Sequence, residues 1–117
     1  MVRIKHIAIR TPDPEKTAAF YKDVFGLKEV GKARTGCYLS DGYINLAVLP
    51  AWQNGGREGI FHFGFQVEDV PETSHRAQAA GAAMAAEAQP QDGRYDEFRL
   101  HDPIGTPVDL SEHGWDT

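Results

Sequence analysis

Two histidines stand where chemistry is possible: His6, between Lys5 and Ile7, and His62, between Phe61 and Phe63. Later in each half of the chain a polar residue sits between aliphatic ones, Asn45 in Ile44-Asn45-Leu46 and Asp109 in Val108-Asp109-Leu110. Successive side chains of a strand point to opposite faces, so each of these four groups opposes an apolar face. Two imidazoles with one carboxylate are a common ligand set for Zn, Mn, Ni or Fe(II). Three strong ligands leave positions open for water or substrate, which suits Lewis-acid catalysis or oxygen activation. A lone histidine on a strand is more often solvated or hydrogen-bonded. The matched placement of the pair is what favours the ligand reading, with His6, His62 and Asp109 as candidate ligands of a divalent ion.

Other residues could act on a substrate. Asn45 is a weak fourth ligand or a neighbour of the ion, and with His113 it is a candidate catalytic group. His113 lies in Ser111-Glu112-His113-Gly114-Trp115, and imidazole suits acid–base work near neutral pH. Arg10, four residues after His6 on the same face, could hold a carboxylate in bidentate fashion. An arginine near a strand end is more often a surface residue. Gln66 is its counterpart in the second half, Tyr43 shares the parity of Asn45, and His101 before Asp102-Pro103 could line a cavity. Trp52 and Trp115 are candidate aromatic lids, or packing residues.

The elements that must position these groups follow from the pattern around them. Residues 2–10 alternate as a strand, with Ile7 and Ile9 opposite His6, Ala8 and Arg10. Asp13 is an N-cap and Pro14 suits the first helical position. Thr17, Phe20, Tyr21 and Val24 then form one helical face, which Gly26 stops. Short strands are predicted near 27–32, 35–40 and 43–49, the last two joined at Asp41-Gly42. After a linker the pattern restarts at 60–67, with Phe61, Phe63, Phe65 and Val67 opposite His62, Gly64 and Gln66. Asp69 caps a second helix, with Glu72 completing a capping-box pattern, and that helix runs to Gly81. Strands near 83–88, 96–101 and 106–111 follow.

The halves are a degenerate repeat. His6, Asp13 and Thr17 map onto His62, Asp69 and Thr73 with one shift of 56 residues, and Leu39-Ser40-Asp41 echoes Leu100-His101-Asp102. Each half reads strand, helix, strand, strand, strand. The expected architecture is α+β: two βαβββ modules forming a cupped mixed sheet with the helices on its outer face. One domain spans 1–117, with module one at about 1–50, a linker at 51–59, module two at about 60–112 and a tail at 113–117.

Composition narrows the partners. Net charge is −5 with no block of Lys or Arg, which argues against nucleic acid. No apolar run approaches the roughly 18 residues of a membrane span, and the N-terminus lacks the apolar stretch of a signal peptide. Cys37 is the single cysteine and reads as a small buried residue. A cytoplasmic setting is expected.

The segments His6-Ile7-Ala8-Ile9-Arg10, Ala19-Phe20-Tyr21-Lys22-Asp23-Val24-Phe25-Gly26-Leu27, His62 to Val70, and Asp102-Pro103-Ile104-Gly105 with Asp109-Leu110 resemble the vicinal oxygen chelate superfamily. That is the glyoxalase/bleomycin-resistance/extradiol-dioxygenase family, and the resemblance spans about residues 2–112. It implies the cupped fold, a divalent metal (Fe, Mn, Ni or Zn) at His6, His62 and Asp109, a small-molecule substrate and a homodimer. Lyases of the family usually carry Glu or Gln where Asn45 stands, and Glu is the more usual residue where Asp109 stands. The His, His and carboxylate triad therefore resembles dioxygenases and thiol transferases more than a standard glyoxalase. The preferred expectation is a metal-dependent enzyme of lyase, isomerase, thiol-transferase or dioxygenase type. The alternative is a metal-free binding protein of the bleomycin-resistance kind.

Overall fold

A computed structural model of the chain describes residues 2–89 and 95–117. Alternating polarity yields strand β1 (Arg3–Thr11), after which the Asp13 carboxylate accepts the Lys16 N–H at 3.1 Å and starts helix α1 (Pro14–Phe25). Gly26 ends the helix in the left-handed conformation, φ 70°. Strands β2 (Lys28–Lys32), β3 (Cys37–Ser40) and β4 (Asn45–Pro50) complete the first half, and a short 3-10 helix (Ala51–Asn54) opens the connection. The second half repeats the series: β5 (Gly59–Gln66), α2 (Val70–Ala79), β6 (Met84–Ala88), β7 (Phe98–His101) and β8 (Pro107–Ser111). Asp69 caps α2 by accepting the Glu72 N–H at 2.9 Å, as the capping pattern requires.

All eight strands form one mixed sheet in the order β2-β3-β4-β1-β5-β8-β7-β6. Within each half the first strand runs parallel to the last, β1 with β4 and β5 with β8. The halves join through the antiparallel pair β1–β5, so the two modules meet within one chain. Helix α1 packs on the back of the first half, where Ala18 and Tyr21 meet Cys37, Leu39, Leu46 and Val48. Helix α2 covers the second half, whose core is Val67, Val70, Leu100, Val108 and Leu110 with Phe63, Phe65 and Ala77.

Two sequence expectations change. The inward face of α1 is centred on Ala18, whose small side chain lets the helix approach the sheet, while Phe20 and Val24 are exposed with Phe25. Phe61 leaves the apolar face of its strand. Ala8 pairs with His62 but Ile9 pairs with Ile60, so Phe61 is the extra residue of a β-bulge, which re-aims a side chain.

Candidate metal centre

The seam between β1 and β5 builds the centre. His6 lies opposite Gly64 and His62 opposite Ala8, so the histidines are diagonal neighbours, with His6 Nε2 3.2 Å from His62 Nε2. In β4 Asn45 pairs with His6, whereas in β8 Asp109 pairs with Gly64, two residues past His62. A slip of two keeps a side chain on the same face. Asp109 Oδ2 accordingly lies 3.0 Å from His62 Nε2. The ligand atoms of His6, His62 and Asp109 all lie within 4.8 Å of one another, and all three residues are buried. With metal–ligand bonds of about 2.0–2.2 Å, adjacent donors around one ion stand roughly 3.0–3.5 Å apart. Two of the separations, 3.2 and 3.0 Å, match that spacing and the third is no longer than 4.8 Å, so the donor set is one that could hold a divalent ion.

Electrostatics favour the donor forms. Burial, reinforced by the charge of His62, pushes the His6 imidazole down to about 3, and burial also lowers His62. Both rings are thus neutral near neutral pH, the state a metal ligand needs. Burial alone would raise the Asp109 carboxyl, but hydrogen bonds from His62 and Arg99 outweigh it and hold the group well below the usual carboxylate range.

Two further residues of the second half enter the site. Arg99 donates to Asp109 twice, Nε to Oδ1 at 2.6 Å and Nη2 to Oδ2 at 3.0 Å, and its Nη2 is 3.2 Å from His62 Nδ1. The bulge puts the Phe61 ring beneath two guanidiniums, with the carbon of Arg99 at 5.2 Å and that of Arg10 at 5.4 Å. Glu97 Oε1 is 3.9 Å from His6 Nε2 and accepts the Trp115 indole N–H at 2.7 Å. Burial, then the charge of Asp109, raises the Glu97 carboxyl to about 7.

The segment after β8 closes the concavity. Trp115 is buried and stacks on His6, with centroids 4.7 Å apart and planes 10° from parallel. It rests over Gly64, where an added Cβ would come within 2.6 Å of the indole. The Asp116 carbonyl accepts from Asn45 Nδ2 at 2.9 Å. Asn45 Oδ1 and His6 Nδ1 are buried and make no hydrogen bond among the described residues.

The structure thus gathers His6, His62, Asp109 and Asn45, with Arg10 at the rim through Phe61 and a 3.5 Å contact to the Pro50 carbonyl. Gln66 donates to the Glu112 carbonyl at 3.3 Å and steadies the closing segment. His101 shares the strand face of Arg99, one alternation further on, with a buried Nδ1 that makes no hydrogen bond among the described residues. Tyr43 does not come to the site. The Asp41 carboxylate accepts the N–H groups of Tyr43 and Ile44 at 2.8 and 2.9 Å, so the turn extends through both and strand parity does not reach Tyr43, which is 77% exposed. His113 is exposed too, whereas Gly114 and Trp115 after it are buried, and Trp52 is exposed. Glu97 and Arg99 escaped the sequence reading. Their signal was alternation with Phe98 and Leu100 in a strand whose charged face points inward.

Residues 3–110 match the Glyoxalase/Bleomycin resistance protein/Dioxygenase superfamily. Over 96% of its length the chain is 28% identical to the probable chloroplastic lactoylglutathione lyase of Arabidopsis thaliana, and it spans only 36% of that protein. Among solved structures, a hypothetical protein from Bacillus halodurans C-125 superposes with a TM-score of 0.79 at 20% identity, covering 99% of this chain and 97% of that one. The Mn(II)-bound glyoxalase of Novosphingobium aromaticivorans gives 0.70 at 22% identity, covering 94% and 38%. The methylmalonyl-CoA epimerase of Mycobacterium tuberculosis gives 0.71 at 17% identity, covering 92% and 85%. At these identities the structural likeness shows a shared fold.

Proposed function

The chain belongs to the Glyoxalase/Bleomycin resistance protein/Dioxygenase superfamily, and from that premise we propose a metal-dependent enzyme that chelates a small oxygenated substrate on an ion held by His6, His62 and Asp109. The observation that carries this reading is the spacing of the donor atoms at 3.2 and 3.0 Å, two of them on imidazoles kept neutral by burial. Relatives named as a lyase, a glyoxalase and an epimerase support an enzyme in general. A bound Fe, Mn, Ni or Zn ion would act as a Lewis acid towards substrate oxygens. Arg10 suits a substrate carboxylate, since its guanidinium sits on the Phe61 face at the rim. Glu97, with one oxygen fixed by Trp115 and its carboxyl raised to about 7, suits holding a proton at its other oxygen near neutral pH. Asn45 fits a positioning role, because its amide holds the Asp116 carbonyl.

One observation favours a metal-free small-molecule binder instead: Arg99 already neutralises Asp109. A homodimer fits the exposed apolar group Phe20, Val24 and Phe25 on α1 and the open edges β2 and β6, and sedimentation at micromolar concentration checks it. No helix among the described residues is long and apolar enough to cross a membrane.

Elemental analysis of protein purified without a histidine tag, followed by calorimetric titration with Mn(II), decides between the two readings. One ion per chain is expected in the wild type and none in His62→Ala. Equal binding by both proteins would discard the proposed site, and no binding by the wild type would favour the metal-free reading.

A further inference from the structure

Arg99 is not a metal-ligating residue, yet it makes the shortest contact in the centre. It engages both oxygens of a carboxylate that has no solvent exposure, at 2.6 and 3.0 Å. Oδ2, the oxygen that takes the second of these bonds, also lies 3.0 Å from His62 Nε2 and is therefore the one a shared ion would use. A fully buried carboxylate that stays ionised is costly to leave without a partner. With both imidazoles neutral, the Arg99 guanidinium already balances the charge of Asp109. A divalent ion on Oδ2 would meet the guanidinium at contact range, where two positive charges repel strongly in a poorly hydrated site. The guanidinium has a second contact besides the carboxylate: its carbon lies 5.2 Å from the Phe61 ring, and Phe61 also borders a cavity of about 520 Å³ together with Arg57, Glu58, Ile60, Ile104 and Thr106.

We propose that Arg99 is an exchangeable counter-cation, which holds Asp109 in the metal-free protein and must leave the carboxylate before a divalent ion can bind, so that this one residue sets the metal affinity of the centre. The inference rests on His6, His62 and Asp109 being the ligand set. Metal loading then frees a second guanidinium beside Arg10 on the Phe61 face, and an anionic ligand binds better to the loaded protein. Arg99 accordingly competes with the ion for Asp109 and, once released, is a specificity residue for a carboxylate-bearing substrate.

Mn(II) titrations followed by electron paramagnetic resonance test this with wild type, Arg99→Met, Arg99→Lys and the double variant Arg99→Met/Asp109→Asn, each checked for folding by circular dichroism. Arg99→Met should bind Mn(II) at least tenfold more tightly than wild type. Arg99→Lys, which keeps the charge but loses the fork of two bonds, should fall between them, and the double variant should bind none. Calorimetry with oxalate should show the reverse order, with Arg99→Met at saturating Mn(II) binding oxalate several-fold more weakly than loaded wild type. Unchanged or weaker Mn(II) binding by a folded Arg99→Met overturns the proposal. If that variant does not fold, Arg99→Lys decides, since equal affinity to wild type is then the overturning result. Binding by Arg99→Met but not by wild type supports the exchange and removes the metal-enzyme reading of the native chain. Binding by neither overturns both.

Discussion

The two halves of the sheet share an order of elements but not a character. In the first, His6 and Asn45 are neutral, and the surrounding face is filled by Ala8, Ala47 and Tyr38 with Tyr95 packed on them. In the second, His62 and Asp109 stand with Arg99 of β7 and with Glu97 just before that strand, so the charge nearest the ligand atoms lies in this half, while Arg10 of the first half stays at the rim. The first half offers an imidazole and a seat for the closing segment, while the second offers the electrostatic field. A repeat can therefore conserve where side chains are delivered while dividing the chemistry unequally between its copies.

The largest test of that division removes one polar group from each half. Asp109→Ala removes the only carboxylate the Arg99 guanidinium is seen to bond among the described residues and should cost about 3–5 kcal/mol in urea unfolding, the usual penalty for breaking a buried pair from one side. Asn45→Ala removes one neutral hydrogen bond and should cost about 1 kcal/mol. Equal losses would mean that the halves are not electrostatically distinct. A second measurement asks whether the ion needs both halves. At a hundredfold excess over its Kd, Zn(II) or Mn(II) should stabilise the wild type by about 2.7 kcal/mol. That gain should vanish in His6→Ala as well as in His62→Ala, and its survival in His6→Ala would place the ion on the second half alone.

The smallest effect concerns pH in the metal-free protein. His6 falls from 6.5 to about 3 on folding, so its contribution is complete above pH 6.5 and is lost as pH drops towards 3. Glu97 rises from 4.5 to about 7, so its contribution is complete below pH 4.5 and is lost as pH climbs through 7. Between pH 4.5 and 6.5 the two slopes oppose each other. Glu97→Gln keeps an acceptor for the Trp115 N–H and deletes one slope, so the melting temperature should rise more steeply with pH than in wild type. Parallel curves for the two proteins would show that Glu97 carries no such shift.

How much of this was legible depended on whether a side chain or a backbone event decided the outcome. Asp13 and Asp69 marked both helix starts because a capping carboxylate is a local signal, and the alternation around His6, His62 and Asp109 put them on one face. Phe61 was misplaced because a bulge is one extra residue in the pairing, which no residue type announces here. Tyr43 was misplaced because the Asp41 side chain lengthens the turn past the point where strand parity begins. The helix face was rotated because periodicity finds an apolar stripe in Phe20 and Val24 but not the small Ala18 that fits against the sheet. Glu97 and Arg99 were passed over because charged residues on a short strand normally face water.

The β1–β5 seam also orders events in time. His6 and His62 touch only across that seam, and they come from segments 56 residues apart in the chain, whereas each half can pair its own strands over shorter loops. Contacts between distant segments close late, because the intervening chain must lose its freedom first. The cluster of His6, His62 and Asp109 is therefore expected to complete only once the two halves dock. A probe placed on Trp115, which stacks on His6, should report the docking of two preformed halves rather than the formation of either.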